Sequence, residues 1–91
     1  MLYMIILTWA PEKRDEVIKR TQTIGFEHEG EKVISSWVDM TGGRAFQLVD
    51  TPPGLDPKIL VKNNLAWNDI LNIESVAVMD AAEMIKLALS P

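Results

Sequence analysis

The strand-like segments of this chain are apolar on both sides, and nothing else in the sequence restricts its fold as much. Leu2-Tyr3-Met4-Ile5-Ile6-Leu7-Thr8-Trp9 is a nearly unbroken apolar run with β-branched and aromatic members. That is the pattern of a central strand covered on both faces. Three further runs follow, Val33–Asp39, Arg44–Asp50 and Ile73–Met79. In the first of these, Val33, Ser35 and Trp37 alternate with Ile34, Ser36 and Val38. In the next, Phe46 and Leu48 alternate with Ala45, Gln47 and Val49, and in the last Val76 and Val78 alternate with Ala77 and Met79. Neither set is the charged outside of a half-solvated sheet. A sheet built from these strands needs cover on both sides.

The segments between the strands supply cover for one. Pro11 sits where a first helical residue belongs, and Glu12 lies in the first turn, where the helix dipole favours it. Val17, Ile18, Thr21 and Ile24 recur at helical spacing, with Asp15–Lys19 and Glu16–Arg20 as i,i+4 pairs on the wet side. Gly25 stops this helix, and Phe26 follows as its apolar contact, so it spans about Pro11 to Ile24. Asp56-Pro57 reads as a cap and first residue of a second helix, from about Pro57 to Leu71, with Ile59, Leu60, Trp67, Ile70 and Leu71 on its core side. Asp80-Ala81-Ala82-Glu83 resembles a capping box and opens a short third helix to about Leu89. Met40-Thr41-Gly42-Gly43 is a tight hairpin connection, since glycines supply positive φ.

The order is strand-helix-strand-strand-helix-strand plus a terminal helix. The first and second strands start 31 residues apart (Leu2 to Val33), and the third and fourth 29 apart (Arg44 to Ile73). Two such units joined by a hairpin make the split βαβ arrangement. The fold class is therefore α+β: a ferredoxin-like β-α-β-β-α-β antiparallel sheet with helices on one face. Residues 1–91 form a single ferredoxin-like domain, because two cores cannot be built from 91 residues. With right-handed crossovers both long helices fall on the same side. The other side keeps its apolar residues, and 47% of the chain is hydrophobic. Exposed apolar patches beyond a few hundred Å² are rare on soluble monomers. The expected partner is a second copy, a homodimer through the open sheet face, since a two-fold axis lets one patch cover itself.

Charge and residue usage exclude several classes. The net charge is −4, so there is no basic footprint for nucleic acid and no attraction to anionic membrane surfaces. No window approaches the roughly 18 apolar residues of a membrane span, and Met1–Leu7 lacks the Lys or Arg that opens a signal peptide. The absence of cysteine fits a reducing, cytoplasmic setting and rules out thiolate chemistry. With one histidine, His28, between Glu27 and Glu29 in a loop, transition-metal sites lack their preferred ligands. No metal and no cofactor are expected.

The opening LYMIILTWAPEKRDEVIKR, the later W-x-D-x-x-G-G-R (Trp37, Asp39, Gly42, Gly43, Arg44) and W-x-D-I-L (Trp67, Asp69) are similar to a small prokaryotic family of unknown function. That family is assigned to the dimeric α/β-barrel superfamily, in which two ferredoxin-like subunits press their open sheet faces together. The resemblance spans nearly the whole chain and implies that fold and a dimer. Other branches include cofactor-free monooxygenases, haem-degrading enzymes, lactone isomerases and small-ligand sensors, and none of their functional residues maps onto this sequence.

The candidate site residues are Trp9, Ser35, Trp37, Gln47 and Trp67. The tryptophans stand at or near element ends, where they line an aromatic pocket between sheet and helix or simply pack. Ser35, Ser36, Gln47 and Ser75 are neutral polar groups inside apolar strands. They orient a ligand in a cavity or bond to backbone and buried water. The hairpin register decides the side on which Trp37 lies. A four-residue loop puts it opposite Phe46, and a one-residue bulge puts it on the face of Gln47. Asp39 and Arg44 flank the loop, either as a cross-strand ion pair that holds the turn or with Arg44 open to bind a carboxylate, the ion pair being the ordinary arrangement beside a tight turn. Asn63 and Asn64 are helix-unfriendly, which hints at a reason for one of them. Gly42-Gly43 is not a phosphate loop, because no helix follows it.

The leading functional reading is a small apolar or aromatic ligand bound in the sheet cavity. A cofactor-independent monooxygenase- or isomerase-like enzyme is the second, and a structural interaction module using the acidic helical face is the third.

Overall fold

The computed structural model describes residues 1–25 and 29–90. Phe26 and His28, given roles above, lie outside the described residues. The elements run β1 (Leu2–Thr8), a 3₁₀ turn (Pro11–Lys13), α1 (Arg14–Ile24), β2 (Lys32–Val38), β3 (Arg44–Asp50), α2 (Pro57–Leu65), β4 (Asn72–Val78) and α3 (Ala81–Leu89). The four strands form one antiparallel sheet in the order β2-β3-β1-β4. The most apolar strand, β1, is thus central, with β3 and β4 on its two sides.

The local chemistry of the ends matches the residues found there. Gly25 closes α1 at φ +88°, its N–H donating to the Thr21 carbonyl at 2.8 Å. Asp56 caps α2 by accepting from the Lys58 N–H at 2.9 Å, and Asp80 caps α3 by accepting from Ala82 and Glu83. The hairpin turns on Gly42, at φ +80°, whose N–H reaches the Asp39 carbonyl at 2.8 Å. The Arg44 Nε donates to Asp39 Oδ2 across the turn at 2.8 Å. The Glu16–Arg20 pair forms, whereas Asp15 pairs with its neighbour Arg14 rather than with Lys19.

Two expectations need correction. The second helix ends at Leu65, six residues before the expected Leu71. From Ala66 the chain continues in hydrogen-bonded turns, Trp67 and Asn68 N–H to the Asn64 carbonyl and Leu71 N–H to the Trp67 carbonyl. Asn63, Asn64, Asn68 and Asp69 all bond readily to nearby backbone, which weakens a helix. The turns deliver Ile70 and Leu71 to the core beside Val17, with Leu7, Trp9, Trp67 and Ile73 packed around them. The second correction concerns β2. Its pairing shifts between Val33 and Ser35, leaving Ile34 without an opposite residue on β3. This bulge breaks the simple alternation: Val33 shares a face with Ser36 and Val38, not with Ser35 and Trp37.

Candidate functional site

The register sorts the strand residues into two faces. On the side facing α1 and α2, three rows cross the sheet. Val33–Val49–Tyr3–Ala77 is the first, Ser36–Gln47–Ile5–Ser75 the second and Val38–Ala45–Leu7–Ile73 the third. The middle row carries three neutral polar side chains between two mostly apolar rows. Gln47 is 4% exposed and Val49 is 1% exposed, which makes this the floor of the molecule.

Above that floor the helices leave a cavity of about 850 Å³, bordered by all three rows, by Val17 and Ile18 of α1 and by Leu60, Asn63 and Asn64 of α2. Its size falls within the roughly 300–1,000 Å³ of small-molecule sites. Trp9 and Trp67 stand along it. The Trp9 indole Nε1 is buried and has no hydrogen-bond partner among the described residues. A buried donor left in that state costs desolvation free energy until an acceptor meets it.

The walls are fixed by contacts between segments far apart in sequence. Arg20 of α1 donates to both carboxylate oxygens of Asp69, to the Ala66 carbonyl at 3.1 Å and to Glu16 at 3.2 Å. Its guanidinium also lies 5.9 Å from the Trp67 ring centroid. Asn63 Nδ2 donates to the Glu29 carbonyl at 3.1 Å and Lys62 bonds to the Glu29 carboxylate at 2.8 Å, tying α2 to the loop before β2. That loop bends at Gly30, φ +77°, where a Cβ would sit 2.7 Å from Leu55 Cδ1.

Four groups titrate away from their ordinary values. Hydrogen bonds from the Thr41 N–H, the Arg44 side chain and the Thr41 hydroxyl lower Asp39 to about 2. The Arg20 hydrogen bond lowers Asp69, and the same bond raises Arg20. Glu29 raises Lys62. None of the four lines the cavity.

Of the residues named from sequence, the fold brings Trp9, Gln47 and Trp67 together around one space. Trp37 pairs with Phe46, as a four-residue loop requires, so its side chain stands on the other face, 51% exposed, although the residue also borders the cavity rim. Ser35 pairs with Leu48 and faces away from Gln47. Ser36 and Ser75 take the polar places beside Gln47 instead, and Asn63 and Asn64 add amides from above. The weak helix propensity of the two asparagines is the one sequence signal that marked them.

Over residues 1–90 the chain matches the family described as a domain of unknown function (DUF3303). The chain belongs to that family. No curated protein and no solved structure matches it. For this DUF3303 domain the site has to be read from its own residues. Among the described residues no helix is long and apolar enough to cross a membrane, and no group of three or more His, Cys, Asp or Glu gathers as metal ligands would.

Proposed function

We propose that this protein binds a small aromatic or largely apolar molecule with at least one hydrogen-bonding group, held between the sheet and helices α1 and α2. The observation that carries this reading is the polar row Ser36–Gln47–Ser75 under an apolar cavity of about 850 Å³. A few placed polar groups in an apolar pocket give orientation and specificity while the walls give affinity. The unpartnered Trp9 Nε1 is one donor such a molecule would meet. Binding fits better than acid–base catalysis, because the groups with displaced titration lie outside the cavity lining.

The proposal includes a ferredoxin-like subunit acting as a homodimer of the dimeric α/β-barrel kind, its outer sheet faces in contact. The outer face supports this. Its central rows are Ser35–Leu48–Met4–Val76 and Trp37–Phe46–Ile6–Glu74, mostly apolar, with Arg44, Thr8 and Asn72 along one end and Lys32, Asp50, Leu2 and Val78 along the other. An apolar centre with a polar margin is the anatomy of a protein interface.

Titration with 1-naphthol, followed by tryptophan fluorescence, tests the binding site. Saturable quenching by about one molecule per chain is the expected result, with Gln47→Leu raising Kd about tenfold through one lost hydrogen bond. Quenching that never saturates, or that is indifferent to Gln47→Leu, overturns the reading.

A further inference from the structure

Helix α3 has no place within its own chain. All of its residues, Ala81–Leu89, are exposed. Among the described residues its hydrogen bonds are local: the Asp80 carboxylate accepts from Ala82 and Glu83, and the Asp80 carbonyl accepts from Met84. Glu83 and Lys86 are its two charged residues and share one side of it. Met84, Ile85, Ala88 and Leu89 make up the opposite side at i, i+1, i+4 and i+5. A nine-residue helix with this much apolar surface does not hold its shape in water by propensity alone.

The dimensions of the chain put a size on what is missing. A compact monomer of 10.2 kDa exposes about 5,300 Å² by the usual mass scaling. This chain exposes 6,735 Å², an excess of about 1,400 Å² over that scaling. Its radius of gyration is 15.1 Å and its longest extent 52 Å, against about 12 Å expected for the radius of a domain this long. An ordinary interface removes about 800 Å² from each partner. Contact between outer sheet faces therefore leaves a substantial part of the excess uncovered, and Met84, Ile85, Leu87 and Leu89 of α3 belong to it.

We infer that α3 is an exchange arm, laid by each copy of this chain along the margin of the other copy's outer sheet face. The inference rests on the outer-face dimer proposed above and adds to it a specific second contact. A second copy is the fitting occupant because the apolar side of α3 and the apolar stretch of the outer-face margin, Leu2 and Val78, occur once each per chain, so a two-fold axis satisfies both. The nine residues reach about 13 Å, enough to cross roughly three strands. The link to β4 is only Met79 and Asp80, and with every residue of α3 exposed the helix does not fold back into the core of its own subunit.

The natural absence of cysteine makes the test clean. Isotopically heavy Ile85→Cys chain is mixed with light Val78→Cys chain and oxidised, and a heavy–light disulfide at twice 10.2 kDa is expected. In parallel, Ile85→Glu in the full chain raises the dimer Kd about tenfold or more, while the rest of the subunit stays folded and the far-ultraviolet circular dichroism loses no more than the helical signal of α3, since this side chain is outside the subunit core. Lys86→Ala stays within about twofold. An intact dimer that is indifferent to Ile85→Glu and forms no mixed disulfide overturns the arm while leaving the outer-face dimer standing. A double Ile85→Cys, Val78→Cys chain that closes only on itself also overturns the arm. A monomeric unmodified chain removes both.

Discussion

The two faces of the sheet have opposite layouts. On the helix side the polar groups are in the middle, Ser36, Gln47 and Ser75, with mostly apolar rows above and below. On the outer side the centre is apolar, Met4, Ile6, Phe46 and Leu48, and the charges sit at the strand ends and, as Glu74, on the edge strand β4. Gln47 in that row is buried while Ser36 and Ser75 are exposed, so the row offers polar contacts along the open cavity. An apolar centre ringed by charge loses nothing when another surface presses on it. The same four strands thus carry the proposed binding floor on one face and the proposed interface on the other.

The comparison breaks most visibly at Trp37. A charge placed there lies within the proposed interface, on edge strand β2 in the row of Phe46 and Ile6, and outside the subunit core, as its 51% exposure shows. Trp37→Arg is expected to weaken dimerisation by two orders of magnitude or more, about 3 kcal/mol. Light scattering at micromolar concentration should fall from twice the 10.2 kDa chain mass toward the chain mass itself, or report aggregation. A variant that remains an unaltered dimer places the interface elsewhere.

Val49 probes the other face. It is the most fully buried large side chain, beside Tyr3 and Val33 in the row. Val49→Ala should cost about 2 kcal/mol of unfolding free energy in urea, the combined loss of transfer energy and the cavity left behind. Association at concentrations well above Kd should be little changed. If association suffers more than stability does, the two faces are not energetically separate.

The smallest effect belongs to the hairpin that both faces share. Asp39 titrates at about 2 because the Thr41 N–H and the Arg44 guanidinium hold its ionised form. A folded-state value below the unfolded one means that this contribution is complete above pH about 4. It is lost as pH falls from there to about 2. Carboxyl carbon NMR should find the Asp39 midpoint near 2, and Asp39→Asn should make unfolding less pH-dependent over that interval. A midpoint near 4 would show that the pair does not persist in solution.

How much of this could be read in the sequence depends on the distance over which each interaction acts. The strand runs, the Asp56 and Asp80 caps, the glycine turn and the Asp39–Arg44 pair are set by neighbours in the chain, and the sequence showed them. The Arg20–Asp69 contact spans 49 residues and has no local signature. The bonds of Asn63 to the loop before β2 are similar, and poor helix propensity was the sole trace of them. The end of α2 was misjudged because Trp67, Ile70 and Leu71 keep helical spacing in a segment whose backbone turns without continuing the helix. The polar row is half legible: Gln47 stands out in an apolar strand, but which of Ser35 and Ser36 lies beside it depends on the hairpin register, and the four-residue loop puts Ser36 there.

The bulge at Ile34 has a consequence for how the molecule can change over time. Substitutions in β2 can retune the cavity side and the outer side independently, since each paired position belongs to one of them. A change in length depends on where it falls. Removing Ile34 would straighten the strand and leave Val33, Ser36 and Val38 on one face and Ser35 and Trp37 on the other, as they are now. Removing Ser36 instead would close the same gap but turn Ser35 to the opposite side. The extra residue is slack in the strand, and losing it is a deletion that the two faces absorb without exchanging roles.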